Sequence, residues 1–149
     1  MKYIPYYRKI IDGLIEKSFT ELKGKKIILE ETNTKMYRAH VQYTLSGLKI
    51  LISNQLRKFP NWKIKRILIH ELCHLEIFLK QGWLMTKIDW VFYLLSKRYR
   101  TNVERKANQL MIRKGYGKLV LSAMKENKKR GLSYSLTERE IKQYMKRLK

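Results

Sequence analysis

One pentapeptide, His-Glu-Leu-Cys-His at positions 70–74, constrains this chain more than any other feature. It lies within residues 61–80, where apolar side chains recur every three or four residues, which predicts a helix. Residues four apart share one helix face, so both imidazoles can point at the same metal ion. A catalytic zinc site uses three protein ligands and a water. We therefore expect a helix that carries His70 and His74 as zinc ligands.

The glutamate between these histidines has the position of a general base. Glu71 directly follows His70, where its carboxylate reaches the zinc-bound water rather than the metal. It would take the proton as this water attacks a peptide carbonyl. The pattern HExxH on a helix is typical of zinc peptidases. The sequence thus predicts a zinc-dependent metallopeptidase that hydrolyses peptide bonds by attack of zinc-bound water, with Zn²⁺ as cofactor.

The third zinc ligand is not a histidine downstream of the motif. The chain has three histidines, and the third, His40, lies upstream in a predicted strand. Among the downstream acids, Glu104 is the best candidate, because an intervening loop and helix can return the chain to the motif. Asn108 follows four residues later on the same helix face, where it can hydrogen-bond to a zinc-bound histidine.

Glu104 also has a purely structural interpretation. Thr101-x-x-Glu104 matches a capping box, in which the glutamate only satisfies a backbone N–H at the start of a helix. Two other acids compete with Glu104 for the metal. Glu76 lies about 200° round the helix from His74. Asp89 belongs to a different predicted helix.

The order of predicted elements indicates an α+β fold, because a run of strands comes before a run of helices. Strands are expected at 27–29, 37–43 and 48–52, and helices at 3–23, 61–80, 88–99, from Thr101 or Asn102 onward, 117–129 and 137–148. Asn61 is the expected N-cap of the motif helix, and Gly82 is expected to end it. No linker or repeat divides residues 1–149, which predicts a single domain.

Charge and composition bear on location and partners. The 149 residues carry 34 Lys and Arg against 12 Asp and Glu, a net charge of +22. Such a surface attracts nucleic acid, anionic membranes or acidic proteins. No apolar run is long enough to span a bilayer, no signal-peptide segment follows the N-terminus, and a lone Cys73 excludes an internal disulfide. These features predict a cytoplasmic protein without a membrane span.

Several residues outside the ligand set are further candidates. Cys73, inside the motif, is expected to be a small buried side chain that packs behind the metal-binding face. His40, Tyr93 and Tyr99 are candidate substrate-binding or oxyanion-stabilising residues. The strand at 39–43 is the expected sheet edge on which an extended peptide substrate would pair.

HELCH followed by Glu-Arg-Lys-Ala-Asn at 104–108 resembles the gluzincin clan of metallopeptidases, in which a glutamate helix reading ExxA[DN] completes the site. The chain is most similar to the minigluzincins, and it also resembles the ImmA/IrrE metallopeptidases. The resemblance covers about 27–113. It implies a zincin-like fold, in which a sheet of about three strands packs on an active-site helix and a glutamate helix. Helices at 3–23 and 117–149 are additions to this core.

Carried over by position, the resemblance implies that His70, His74 and Glu104 bind zinc and that Glu71 is the base. Asn108 stands where many gluzincins have Asp. The resemblance also implies that a terminal segment can keep the enzyme latent. Glu138 and Glu140, as mobile carboxylates, make the tail at 131–149 a candidate for this role, so deleting it is expected to raise activity.

A different class of function remains open alongside the peptidase. The alternative is a DNA-associated or regulatory zinc-binding protein, whose basic surface binds nucleic acid. The charge of +22 favours this alternative, while the lack of a helix-turn-helix pattern or zinc ribbon argues against it. The expected partners are therefore a peptide or protein substrate and, in the alternative, nucleic acid.

Overall fold

The computed structural model describes residues 3–148, apart from the side chain of Trp90. The chain divides into two compact units, Met1–Thr86 and Lys87–Lys149. The first unit contains a three-stranded sheet and two long helices, and the second is helical. The α+β class predicted from the sequence is confirmed. The expectation of a single domain stays a prediction.

The first unit holds all the strands found in residues 3–148. Its elements are α1 Ile4–Ser18, a 3-10 turn Thr20–Leu22, β1 Ile27–Thr32, β2 Ala39–Thr44, β3 Gly47–Ser53, a 3-10 turn Asn54–Lys58 and α2 Asn61–Gln81. The helix predicted at 3–23 is therefore shorter, and a separate turn follows it. All three predicted strands are present: β1 and β3 are longer than predicted, while β2 begins two residues later and ends one residue later.

The sheet has the strand order β1-β3-β2, so β3 is central and β2 lies at an edge. β1 pairs parallel to β3, with Ile27 opposite Leu48, and β2 pairs antiparallel to β3, with Val41 opposite Ile50. Alternate side chains of β3 are buried, as expected for a sheet with one face on the core. α2 packs against β2, which brings the motif helix next to a sheet edge.

The start of α2 differs from the prediction. Pro60 occupies the N-cap position, and no side chain caps the helix. Asn61 is already helical, and its Oδ1 accepts a hydrogen bond of 3.0 Å from the Tyr6 hydroxyl. Its assignment as the cap was therefore wrong. The end was predicted correctly, because Gly82 closes α2 with a φ of 82°, a conformation that favours glycine.

The next helices begin and end elsewhere than predicted. α3 Trp83–Leu95 starts before the boundary between the units, and α4 Lys97–Met111, a π turn Ile112–Tyr116, α5 Gly117–Lys129 and α6 Glu138–Arg147 follow. The break between α3 and α4 falls at Ser96, whose Oγ accepts a hydrogen bond from the Tyr99 N–H. The predicted helix at 88–99 was thus wrong in both bounds. No helix within residues 3–148 combines the length and apolar content that a membrane span needs.

The tail at 131–148 is part of the fold of the second unit. Leu136 is 2% exposed and Ile141 is fully buried, and α6 packs against α5. The expectation of mobile carboxylates was wrong. Glu138 pairs with Lys142 at 2.8 Å, and Glu140 accepts hydrogen bonds at the start of α6.

Glu140 completes a capping box that the sequence analysis did not identify. It accepts hydrogen bonds from the backbone N–H and the hydroxyl of Thr137, each at 2.8 Å, and it pairs with the Arg105 guanidinium. The bond from the backbone N–H of Thr137, followed by that from Arg105, lowers the pKa of Glu140 from 4.5 to about 2. This carboxylate therefore links α4 and α6 within the second unit.

We expect Glu140→Gln to destabilise the protein by ~1–2 kcal/mol near neutral pH, after allowance for solvent screening. Because the pKa of Glu140 is lowered on folding, its contribution is present above 4.5 and is lost as pH falls toward about 2. Urea unfolding of wild type and variant at neutral and acidic pH measures this. Glu16→Gln, at a side chain 71% exposed, is the control. A difference in the free energy of unfolding that persisted unchanged at acidic pH would contradict the prediction.

Candidate metal centre

α2 brings the two motif histidines together within the first unit. The Nε2 atoms of His70 and His74 are 3.1 Å apart, and their ring planes are inclined at 82°. His74 is 6% exposed, and His70 is half-buried. The spacing of four residues has therefore placed both imidazoles at one point on the helix, as the sequence predicted.

The two nitrogens fit a shared metal ion. Two nitrogens bound to one tetrahedral zinc at ~2.0–2.1 Å lie ~3.3 Å apart. The observed Nε2–Nε2 distance of 3.1 Å is close to that value. The pair is thus preorganised for chelation, because little movement of either ring is needed.

Glu104 belongs with these histidines to one candidate ligand group. One ligand atom from each of His70, His74 and Glu104 lies within 4.8 Å of the others, and the group could hold a metal ion. Two imidazole nitrogens and a carboxylate oxygen are a donor set typical of catalytic zinc sites. His74 is buried, while His70 and Glu104 are half-buried.

The capping interpretation of Glu104 is wrong. α4 begins at Lys97 with Ser96 as its N-cap, so Thr101 and Glu104 both lie inside the helix. The Thr101 hydroxyl donates to the Lys97 carbonyl at 3.0 Å instead of capping a helix start. Glu104 therefore has no helix start to cap, and the main structural alternative to its role as a ligand is removed.

The two rival acids do not belong to the ligand group. Glu76 is buried, and its Oε1 accepts a hydrogen bond of 3.1 Å from the Lys80 ammonium, which raises the pKa of Lys80. Asp89 accepts a hydrogen bond from the Tyr99 hydroxyl. Each acid thus has a structural partner close to it in the sequence.

The interior of the motif is buried. Glu71 is 8% exposed and lies one residue beyond His70 on α2. Cys73 is a free thiol with no exposed surface, so the prediction of a small buried side chain is confirmed. A helix fixed by buried residues on both sides of the motif holds the histidines and Glu71 in place.

Asn108 is buried as well, and its amide is engaged within the second unit. Its Nδ2 donates to the Ser135 Oγ, and its Oδ1 accepts from the Tyr134 hydroxyl, both at 2.9 Å. The predicted hydrogen bond to a metal-bound histidine stays a prediction. The roles of Tyr134 and Ser135 had no signal in the sequence, because residues 26 and 27 positions apart meet only through the fold.

His40 lies on the edge strand, as predicted. It is opposite Leu51 in the register of β2 and β3, and its ring centroid is 5.3 Å from that of Tyr37. One edge of β2 pairs with β3. Along its other edge, no further strand pairs with it among the described residues. The edge position is confirmed, while the role of His40 toward a substrate stays a prediction.

The two candidate tyrosines have contacts within the second unit. The Arg100 guanidinium lies 6.0 Å from the centroid of the Tyr93 ring. Burial, followed by the hydrogen bond donated to Asp89, raises the pKa of Tyr99 from 10.0 to about 12. Tyr99 therefore stays protonated near neutral pH with its proton directed at Asp89. The predicted roles of Tyr93 and Tyr99 in stabilising an oxyanion stay predictions.

The chain was compared with protein-family models, with curated proteins and with solved structures. None of them matches. The likeness to gluzincins therefore depends on the motif residues and their geometry alone.

Proposed function

We propose that this protein is a zinc-dependent metallopeptidase of the gluzincin type. The observation that carries the proposal is the ligand group of His70, His74 and Glu104, whose ligand atoms lie within 4.8 Å of one another. A purely structural zinc site closes all four positions with protein ligands, whereas three leave one open for water or substrate. The same proposal gives the sheet, α2 and the glutamate helix α4 a zincin-like arrangement.

The chain contributes the ligands and the base. Zinc bound by these three side chains would polarise the scissile carbonyl and lower the pKa of a water molecule. Glu71 accepts the proton of the attacking water on a carboxylate oxygen and then delivers it to the leaving amine nitrogen. Glu71 is buried and directly follows His70 on α2, the position of the general base in an HExxH motif.

The sheet edge supplies a way to hold an extended peptide. β2 Ala39–Thr44 is an edge strand, and α2 packs against it within the first unit. An extended substrate that pairs with β2 would gain main-chain hydrogen bonds, as peptide ligands of edge strands commonly do. His40 is the candidate on this strand for contact with the bound peptide.

A peptidase assay with a mixture of unstructured peptides tests the proposal. We expect the zinc-loaded protein to cleave peptides, a chelator to abolish cleavage, and added zinc to restore it. Cleavage that persists in chelator would assign the activity to another mechanism or a contaminant. A zinc-loaded, folded protein that cleaves none of the peptides would favour the regulatory zinc-binding alternative.

A further inference from the structure

α3 exposes an apolar surface that the proposed peptidase does not use. Seven of its apolar side chains are between 42% and 78% exposed, among them Leu94. The other six share one side of the helix, and we call them the α3 face: Leu84, Met85, Ile88, Val91, Phe92 and Leu95. Single exposed apolar residues are common on proteins, but a contiguous patch marks a site of interaction.

The α3 face covers one side of the helix. At 100° per residue, its six members fall within an arc of about 120°, which is the width of the stripe that a surface helix normally turns to the core. Among the described side chains of α3, Thr86 alone is buried, and it lies outside this arc. The α3 face is therefore directed to solvent, and exposed Leu94 and Trp83 lie outside its arc.

The segment that contains the α3 face is positively charged. Residues 83–100 contain four basic side chains and one acidic, and all four basic ones are exposed: Lys87, Lys97, Arg98 and Arg100. The single acid, Asp89, accepts the hydrogen bond of Tyr99. A second copy of this chain would bring another charge of +22 against the face. Charge complementarity therefore favours an anionic partner.

The length of α3 favours a helix that lies on a membrane rather than through it. Its 13 residues extend ~20 Å, less than the ~30 Å of the hydrocarbon core. A helix with an apolar face, bulky aromatic side chains and nearby Lys and Arg is typical of one that lies in the plane of the lipid headgroups. Phe92 supplies an exposed aromatic ring on the α3 face.

We propose that the α3 face binds the surface of an anionic phospholipid membrane, with the helix parallel to the bilayer plane. The apolar side chains enter the boundary between headgroups and acyl chains, and the exposed basic side chains Lys87, Lys97 and Arg98 contact lipid phosphates. Because each Lys or Arg near an anionic surface adds about fivefold in affinity, zwitterionic vesicles should bind at least about tenfold more weakly. The metal centre plays no part, so the proposal stands or falls independently of the peptidase.

Co-sedimentation of the full chain with vesicles tests this proposal. The vesicles contain phosphatidylcholine alone or phosphatidylcholine mixed with phosphatidylglycerol. The test variant changes Leu84, Val91 and Leu95 to Gln. The control variant changes three exposed apolar residues elsewhere to Gln: Met36, Leu45 and Leu132, which are 93%, 87% and 52% exposed. Circular dichroism verifies that both variants are folded.

We expect wild type and control to bind the anionic vesicles alike and the test variant to bind about 100-fold more weakly. Failure of the wild type to bind the anionic vesicles would overturn the proposal. Binding of the test variant as tight as that of the wild type would also overturn it, and would show that charge alone attaches the protein. Sedimentation equilibrium without lipid decides the remaining case. A wild-type dimer that the test variant abolishes would show that a second copy covers the α3 face, and it would also overturn the proposal.

Discussion

Glu71→Gln is expected to retain one zinc per chain and to lower kcat for peptide hydrolysis by about 10²- to 10⁴-fold. Glutamine has the shape of glutamate but cannot accept the proton of the attacking water. The proposed ligands His70, His74 and Glu104 are unchanged, so zinc should stay bound. Zinc content by elemental mass spectrometry and peptide cleavage, measured on the same preparation, separate binding from catalysis.

Glu16→Gln, on the exposed surface of α1, is the matched control and should cleave peptides as the wild type does. Full activity of Glu71→Gln would show that another group accepts the proton. Loss of zinc in this variant would show that Glu71 holds the site together, and the activity measurement would then say nothing about its role as base.

Glu104→Ala should weaken zinc binding by at least about 100-fold, because it removes one of three protein ligands and the only anionic one. Competition with a chromogenic chelator measures the affinity. The fold should survive, since Glu104 is half-buried and lies inside α4. Glu16→Ala serves as the control for a general loss of negative charge.

Unchanged zinc affinity in Glu104→Ala would remove Glu104 from the ligand set. Glu76, Asp89 and His40 would then be the candidates. Substituting these one at a time would identify the third ligand. Reduced affinity in Glu104→Ala with normal affinity in Glu16→Ala would support the gluzincin ligand set.

The motif helix could be predicted because its evidence is local. The apolar period of residues 61–80 and the spacing of the two histidines fix the helix and the face they share. Glu104 was harder, since one residue pattern fitted both a capping box and a ligand. Only the true start of α4 at Lys97 decided against the cap.

Helix ends and long-range partners could not be predicted for physical reasons. Ser96 can cap a helix, but so can Thr101, and the local sequence does not say which one does. Glu140 and Thr137, three residues apart, form a capping box that the sequence could have revealed. The pairing of Glu140 with Arg105 could not be predicted, because only the packing of α6 brings the two close. The partners of Asn108 depend on the same packing.

The orientation of α3 is a similar case. The sequence shows an apolar segment near 83–95, and apolar segments normally face a core. That this one exposes apolar side chains to solvent depends on how the rest of the chain packs, which no local pattern records.

Packing also changes the result expected from deleting the tail. Removing residues 131–148 would take away buried Leu136 and Ile141, so we expect it to unfold the second unit rather than to raise peptidase activity.

The metal content of the wild-type protein tests the central claim most directly. Elemental mass spectrometry after purification, and again after zinc addition and desalting, gives the number of zinc ions per chain; His70→Ala serves as the negative control. We predict about one zinc per wild-type chain and almost none in the variant. A well-folded wild type that holds no zinc even after zinc addition, or a His70→Ala variant that holds as much as the wild type, would contradict it.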